Sequence, residues 1–562
     1  MTSVFSFRAQ VAAETIEKVG RLFNASLDDI LNELLQNARR AGATKIFIDQ
    51  IDDPGIGKAI RIADNGNGLA DPRALFSLGH SEWSETLVRS EDAAGMGFFS
   101  LANRGAVIVS RHKDAPTSWS ITATPDAFHG RRPIDVAPAE RDHAGMTVVF
   151  PEAKSDNLVA AVRHAARYFP VPVILNAEEM ESSDFLERAD HVEEWMGVRI
   201  GIFASDFSYD DRNNANFHGV TLRIALPMLG QSWHRSYHAR IDVIDCARLK
   251  LVLPARKEVV QDEMFDALVE EINRVFFRLV AENGPHSLSF ENYRRAALLD
   301  IRLPEAASLL MRFVPAVADS YRNTGKSPAA VPSGALLYSG SGPLEEQNVA
   351  RALARLPESP PMFEPNHAFA GYSWYDRLAT MTVKTYTMAI GDEVEKVELP
   401  DMFARSGQPD RLEINLEIAS SESTRSWALD TDLIVTGIEY EPLDEMDIRV
   451  VHQSRITRQE LTAFLTDALF CPSDDAEAGS YEQQQRWFAD EAEDLSITLL
   501  QSAEACNLNA IRRAIVHEIA WRLPKDRTFV IRIVGGKVTV KGLPPVLPDE
   551  LAPSLQPAAA PR

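Results

Sequence analysis

Glu33 and Asn37 stand four residues apart in the stretch ELLQNARRAGATKIFI. The apolar residues Ile30, Leu31, Leu34, Leu35 and Ala38 recur around them at helical spacing and mark a face turned to a core. Residues four apart share one helix face, so Glu33 and Asn37 lie together. That face is either solvated surface or the wall of a site that uses one carboxylate and one amide. Downstream, DNGNGL runs from Asp64 to Leu69, directly after an apolar strand. An Asn-Gly pair by itself signals a hairpin turn. Its position here leaves Asp64 at the strand's end near the core, where a carboxylate needs hydrogen-bond donors. An adenine exocyclic amine is one such donor, and Gly66 and Gly68 let backbone approach a flat ring.

A second glycine-rich stretch, AGMGFFS, spans Ala94 to Ser100. It follows a polar segment and opens a helix, so its backbone N–H groups and positive dipole end suit phosphates; tight helix packing is the plainer reading. The polar segment 79–94 reads as a mobile lid or as a surface loop. DDPGIGKA superficially suggests a Walker A loop, but Lys58 is followed by Ala59 and the first glycine is misplaced, so it reads as a hairpin turn. HEIAW at His517 lacks a second histidine, the histidines show no metal-ligand spacing, and GxSxG is absent. GSGPLEE at 340 sits in linker-like sequence.

These residues need elements to hold them. A helix over 10–22 and a second over 27–41, with Ser26 as N-cap, precede the strand TKIFIDQI, a turn, and the strand KAIRIAD. A short helix at 72–78, a helix from about 97, and the strands GAVIVSR, SWSITAT and GMTVVF follow. This order predicts an α+β fold, with helices layered on a mostly antiparallel sheet over 1–155. An α/β middle segment over 156–325 begins at the amphipathic helix NLVAAVRHAARYF and ends in long helices such as DEMFDALVEEINRVFFRLVAE. NTGKSPAAVPSG reads as a linker. A mixed α/β segment over 335–545 closes with a hairpin centred on Gly535 and Gly536, and 546–562 reads as a disordered tail.

The 562 residues carry 58 Lys and Arg against 81 Asp and Glu, a net charge of −23. That disfavours a general nucleic-acid coat, which needs a basic face, and does not exclude a local basic groove. Acidity concentrates late: residues 439–494 hold 15 acidic against 4 basic side chains. No apolar run approaches the roughly 18 residues of a membrane helix. The start MTSVFSFRAQ does not read as a secretory signal, and Cys246, Cys471 and Cys506 are widely spaced, as free thiols in a cytoplasmic protein are.

Glu33 with Asn37, then DNGNG, GMGFFS and GMTVVF, in that order, resemble the Bergerat-type ATP-binding fold shared by gyrase, heat-shock-90 chaperones, histidine kinases and MutL, the GHKL superfamily. VFSFRAQVA, GMGFFS and the stretch IDVIDCARLKLVLPARKEVVQ narrow the likeness to heat-shock-90 over roughly residues 3–280. The resemblance implies ATP and Mg2+ as cofactors. It implies that Glu33 positions or activates the attacking water and that Asn37 holds the magnesium. Asp64 would accept from the adenine amine, with Gly68 and Thr147 beside the ring. Gly95 and Gly97, with the amides of Met96 and Phe98, would cradle the phosphates. Arg256 or Lys257 would reach the γ-phosphate from the middle segment. Two positions depart from the pattern: Arg40 replaces the acidic residue seven after the glutamate, and His80 replaces the lid lysine. AGAT after Arg40 is more similar to MutL.

The expectation from these residues is a slow ATPase acting as an ATP-driven, homodimeric clamp on protein clients. The alternatives are a MutL-like or topoisomerase-like ATPase associated with DNA, and a low-turnover nucleotide-binding component of a multiprotein bacterial system. The acidic balance disfavours DNA, and no membrane partner is expected.

Overall fold

The structure is a computed structural model. It describes residues 26–76, 97–152, 157–205, 213–232, 234–246, 248–252, 258–319, 327–439, 441–475, 478–500, 508, 511–512, 515, 529–534 and 537–542. The helix expected over 10–22, the lid segment with His80, the tail, and the site candidates Gly95, Met96, Arg256 and Lys257 lie outside the described residues.

Helix α1, Leu27–Arg40, forms where the spacing places it. Ser26 caps it, its side chain accepting from the Asp29 amide, and Asp28 and Asp29 at one end with Arg39 and Arg40 at the other suit its dipole. AGAT ends it. The Gly42 amide bonds the Arg39 carbonyl and the Ala43 amide the Ala38 carbonyl, with Gly42 left-handed at φ +73°. This is the Schellman arrangement, and only glycine adopts that φ without strain. Ile30, Leu31, Leu34 and Leu35 are buried in the core of a sheet. Each such side chain contributes about 1.5–3 kcal/mol of burial, which anchors the helix.

That sheet contains β1 Ile46–Asp53, β2 Gly57–Asp64, β3 Ala106–Arg111, β4 Ser118–Ala123, β5 Val136–Ala139, β6 Gly145–Pro151, β7 Val173–Leu175 and β8 Glu178–Glu179. Their order is β5-β4-β3-β6-β2-β1-β7-β8, antiparallel except where β7 runs parallel to β1. DDPGIGK is the β1–β2 hairpin turn, as expected. The short helix α2, Pro125–Phe128, and the helix α3, Leu158–Ala166, pack into the same core as α1. The first layer therefore runs to about residue 179 and not 155, because β7 and β8 complete its edge. The helix expected from 97 is a short 3-10 turn, Gly97–Leu101.

A second sheet contains β9 His191–Trp195, β10 Val198–Ser205, β11 Ala215–Phe217, β12 Val220–Leu222, β13 Met228–Leu229 and β14 Ser236–Val243. It is backed by α4 Glu263–Asn283, capped by Asp262, and α5 Phe290–Leu298. Both sheets belong to one compact unit, Met1–Ala307 with Ala368–Tyr372.

The other unit comprises Ser308–His367 and Ser373–Arg562. It opens with β15 Leu309–Met311, which pairs with β16 Pro328–Ala330, so part of the expected linker is a strand. The strands β17 Leu336–Leu337, β18 Met362–Phe363, β19 Ala379–Ile390, β20 Glu393–Val397, β21 Arg411–Ala419 and β22 Thr424–Thr431 form its main sheet. GSGPLEE is not linker: it leads into α6, Pro343–Leu353, whose Leu344 amide bonds Glu439 at 2.9 Å. That carboxylate already occupies the helix start, where an anion would otherwise bind. Further on come β23 Leu433–Thr436 with β24 Asp447–Val450, α7 Arg458–Leu469, α8 Tyr481–Leu500 and the hairpin β25 Phe529–Val534 with β26 Lys537–Gly542. The fold class is α+β, and among the described residues no helix is long and apolar enough to cross a membrane.

Candidate functional site

The site candidates gather around α1 and the ends of β2 and β6. Glu33 and Asn37 are half-buried on α1, and Glu33 Oε2 is shielded from solvent. Asp64 closes β2 on the same sheet face as Ile60 and Ile62, and it is buried. Its carboxylate accepts from the Gly66 amide at 2.8 Å and from the Met146 amide. Burial pushes the Asp64 carboxyl above its usual range. The Gly66 amide, the Arg141 charge and the Met146 amide pull the other way and do not cancel it. A buried acceptor of this kind favours a ligand that brings N–H donors.

DNGNG is not a two-residue hairpin turn; it is a loop tied to the end of α1. Asn65 Oδ1 accepts from the amides of Thr44 and Lys45 at 2.8 and 3.0 Å, and the Asn67 amide donates to the Ala41 carbonyl at 2.7 Å. Gly66 backs against Ala41, where an added Cβ would come within 2.9 Å of the alanine Cβ. Gly68, at φ +65°, lies against the Arg111 carbonyl, which an added Cβ would meet at 2.0 Å. Both glycines are therefore required by packing, whatever else they contact.

Thr147 takes a different place from the one expected. It pairs with Ala63 and faces the side of the sheet away from the Asp64 carboxyl, because side chains alternate along a strand. There its hydroxyl accepts from Arg141, whose Nη2 also donates to the Asp64 carbonyl at 2.7 Å. Met146, one residue earlier, packs with the core on the Asp64 side. Ser110 and Trp119 share that side: the Leu69 amide donates to Ser110 Oγ, and Trp119 Nε1 donates to the Leu69 carbonyl, both at 2.9 Å. The alternation of Met146, Val148 and Phe150 against Thr147 carried the signal for this.

Of the expected phosphate cradle, Gly97 and Phe98 are described. They begin the 3-10 turn that packs on α1. The Phe98 ring belongs to the core, 6.0 Å from Phe76 and 5.9 Å from Phe128, which leaves only its backbone for a ligand. Arg40, the residue out of pattern, donates from Nη1 to Asn37 Oδ1 at 3.3 Å. An amide oxygen has two lone pairs, so Asn37 keeps one for a hard cation. Among the described residues no cluster of three or more acidic, His or Cys side chains could hold a metal. A magnesium ion bound here would rely on phosphate and water for most of its ligands, with the Asn37 amide oxygen available as one.

No protein-family model matches the chain. One relative does. The chain is 30% identical over 172 residues to the DNA mismatch repair protein MutL of Xanthomonas campestris pv. campestris (strain B100). The matched stretch is 30% of this chain and 24% of that protein, so the chain spans about a quarter of its relative's length. The match and the motifs agree at the level of the GHKL superfamily, and the match carries no link to heat-shock-90 chaperones.

Proposed function

We propose that the first sheet layer binds ATP and that the chain hydrolyses it slowly, as a GHKL-type ATPase closer to MutL than to heat-shock-90. The observation that carries this reading is the MutL match, found for a chain whose Glu33–Asn37 helix is tied at its end, through the Asn67 amide on the Ala41 carbonyl, to the loop that follows the buried Asp64. It reverses the ranking reached from sequence, which put the chaperone clamp first. DNA association and protein clients are both readings of the partner, and the salt dependence of turnover with duplex DNA separates them.

In this reading Asp64 orients the base by accepting its exocyclic amine. Glu33, partly withdrawn from solvent, holds the attacking water. Asn37 offers its amide oxygen to magnesium, which when bound neutralises phosphate charge. The chain's own task is positioning, since phosphoryl transfer asks for little covalent chemistry from protein.

The test is a pair of substitutions read by two assays. Asp64→Asn replaces one acceptor oxygen with a donor, and binding of a fluorescent ATP analogue is expected to fall below detection. Glu33→Ala is expected to bind the analogue within about threefold of the parent and to lose at least about a hundredfold in turnover, the scale of a lost base or water-positioning group. Normal hydrolysis by Glu33→Ala would remove it from the mechanism. Normal binding by Asp64→Asn would remove the nucleotide site.

A further inference from the structure

Gln36 lies one turn after Glu33 and next to Asn37, yet it points elsewhere. It is 4% exposed, and its Nε2 donates to the backbone carbonyl of His218 at 2.7 Å, across 182 residues of sequence. Its Oε1 accepts from Arg39 Nε at 3.3 Å. His218 and Gly219 form the two-residue turn between β11 and β12, with left-handed φ of +53° and +98°. A buried amide committed to a distant carbonyl fixes both partners, since breaking the bond leaves polar groups unsatisfied.

The turn is itself clamped. Asn216 Oδ1 accepts from the Gly219 amide at 2.8 Å, and Asn216 Nδ2 donates to Asp242 Oδ1 at 2.8 Å and to the Tyr168 carbonyl at 3.3 Å. Gly219 packs on Phe169, whose Cδ2 would lie 2.8 Å from an added Cβ. Asp242 belongs to β14 and is also bonded by Arg199 of β10 at 3.2 Å. The turn that carries the His218 carbonyl is thus held by Asn216 and Asp242 of the second sheet and by Tyr168 and Phe169 of the first layer, and Gln36 is the α1 side chain that bonds to it.

We propose that Gln36 is a positioning residue that gears α1 to the second sheet, so that the β11–β12 turn sets where Glu33 and Asn37 stand against the nucleotide. The proposal rests on the nucleotide site assigned to α1. Gln36 itself touches no reacting atom. Its loss would leave the base-binding end at Asp64 intact and misplace the hydrolytic end. A structural residue would lower binding and turnover together; a gearing residue separates them.

The experiment compares Gln36→Met, which keeps length and loses the donor, with the full-length parent. Analogue binding is expected within about threefold and turnover about tenfold lower or more, an unequal effect because misplacement acts in the transition state. Hydrogen exchange supplies a readout that needs no hydrolysis. In the parent, a non-hydrolysable ATP analogue is expected to change protection over 215–222; in Gln36→Met that change is expected to be lost. If Gln36→Met does not fold, Asn216→Ala, which frees the turn carrying the His218 carbonyl, tests the coupling from the side of the second sheet, with the same split expected. Equal turnover and an unchanged exchange response in the variant would overturn the gearing and leave the nucleotide site standing. Absence of analogue binding by the parent would overturn the site, and the gearing with it.

Discussion

At Arg40 two demands meet on one amide oxygen. Its guanidinium donates to Asn37 Oδ1 at 3.3 Å, and a cation held by Asn37 must share that oxygen and tolerate the nearby charge. Removing the guanidinium at this half-exposed position is worth about 1 kcal/mol, roughly fivefold in an equilibrium. Arg40→Ala is therefore expected to lower, by about fivefold, the magnesium concentration that half-saturates binding of an ATP analogue. A magnesium titration at fixed analogue reads this directly. Weaker binding with the magnesium demand unchanged would place the guanidinium on phosphate instead. Arg40 was legible as the odd residue because the motif around it is regular. The shared helix face of Glu33 and Asn37 was legible because a helix has a fixed period, and the burial of Asp64 because it ends an apolar strand. Gln36 was not: a polar residue beside Leu34, Leu35 and Ala38 announces a partner, but nothing local says that the partner is His218. Thr147 was misplaced because the motif names a residue while the strand's phase decides its face.

Elements were read best where the determinants are local. Helix α1, the β1–β2 hairpin and α4 follow from periodicity and caps near the residues themselves. The boundary at 155 missed because β7 joins the sheet by parallel pairing with β1, a contact over more than a hundred residues. GSGPLEE looked like linker because Gly, Ser and Pro dominate it, and the Glu439 carboxylate that completes the α6 start is nearly a hundred residues away. The connection between α4 and α5 carries a consequence of the same long-range kind. His286 is 1% exposed; its Nε2 donates to the Pro304 carbonyl at 2.8 Å and its Nδ1 accepts from the Leu288 amide at 3.3 Å. Burial pulls its pKa below the usual 6.5; the Pro304 carbonyl opposes this, and His234 adds to it. The neutral ring satisfies both partners, whereas protonation sets an N–H against the Leu288 N–H. The folded chain binds this proton less well than the unfolded one, so the stability is complete above pH 6.5 and is lost as pH falls towards the folded value. One pH unit below 6.5 the loss is at most about 1.4 kcal/mol from this site. Hydrogen exchange over 284–307, corrected for intrinsic rate, is expected to quicken between pH 7.5 and 5.5 in the parent. In His286→Gln, which donates without titrating, that extra quickening should be absent.

For the whole molecule the deciding quantity is the charge of −23, with the excess of acid over base concentrated in 439–494. Two copies of such a chain repel over a Debye length of about 30 Å at 0.01 M salt and about 10 Å at 0.1 M. If ATP closes a homodimer, salt should help it, because screening removes repulsion that the nucleotide-driven contacts must otherwise offset. A DNA complex behaves the other way. Each phosphate contact releases counterions, and affinity falls with a slope of about −0.9 per contact in log salt. Light scattering with a non-hydrolysable ATP analogue is therefore expected to show a doubled mass whose share grows from 0.03 M to 0.3 M salt, roughly the range over which screening becomes effective. Asp64→Asn, unable to hold the nucleotide, should stay at the monomer mass at both salts. Turnover measured with duplex DNA over the same range supplies the opposite arm. DNA stimulation that collapses by 0.3 M salt would assign the partner to DNA, through a basic groove that net charge alone conceals. Stimulation by an unfolded protein, indifferent to salt and to DNA, would return the chain to the chaperone reading. A mass that ignores the nucleotide at every salt would mean that ATP does not drive association in this chain.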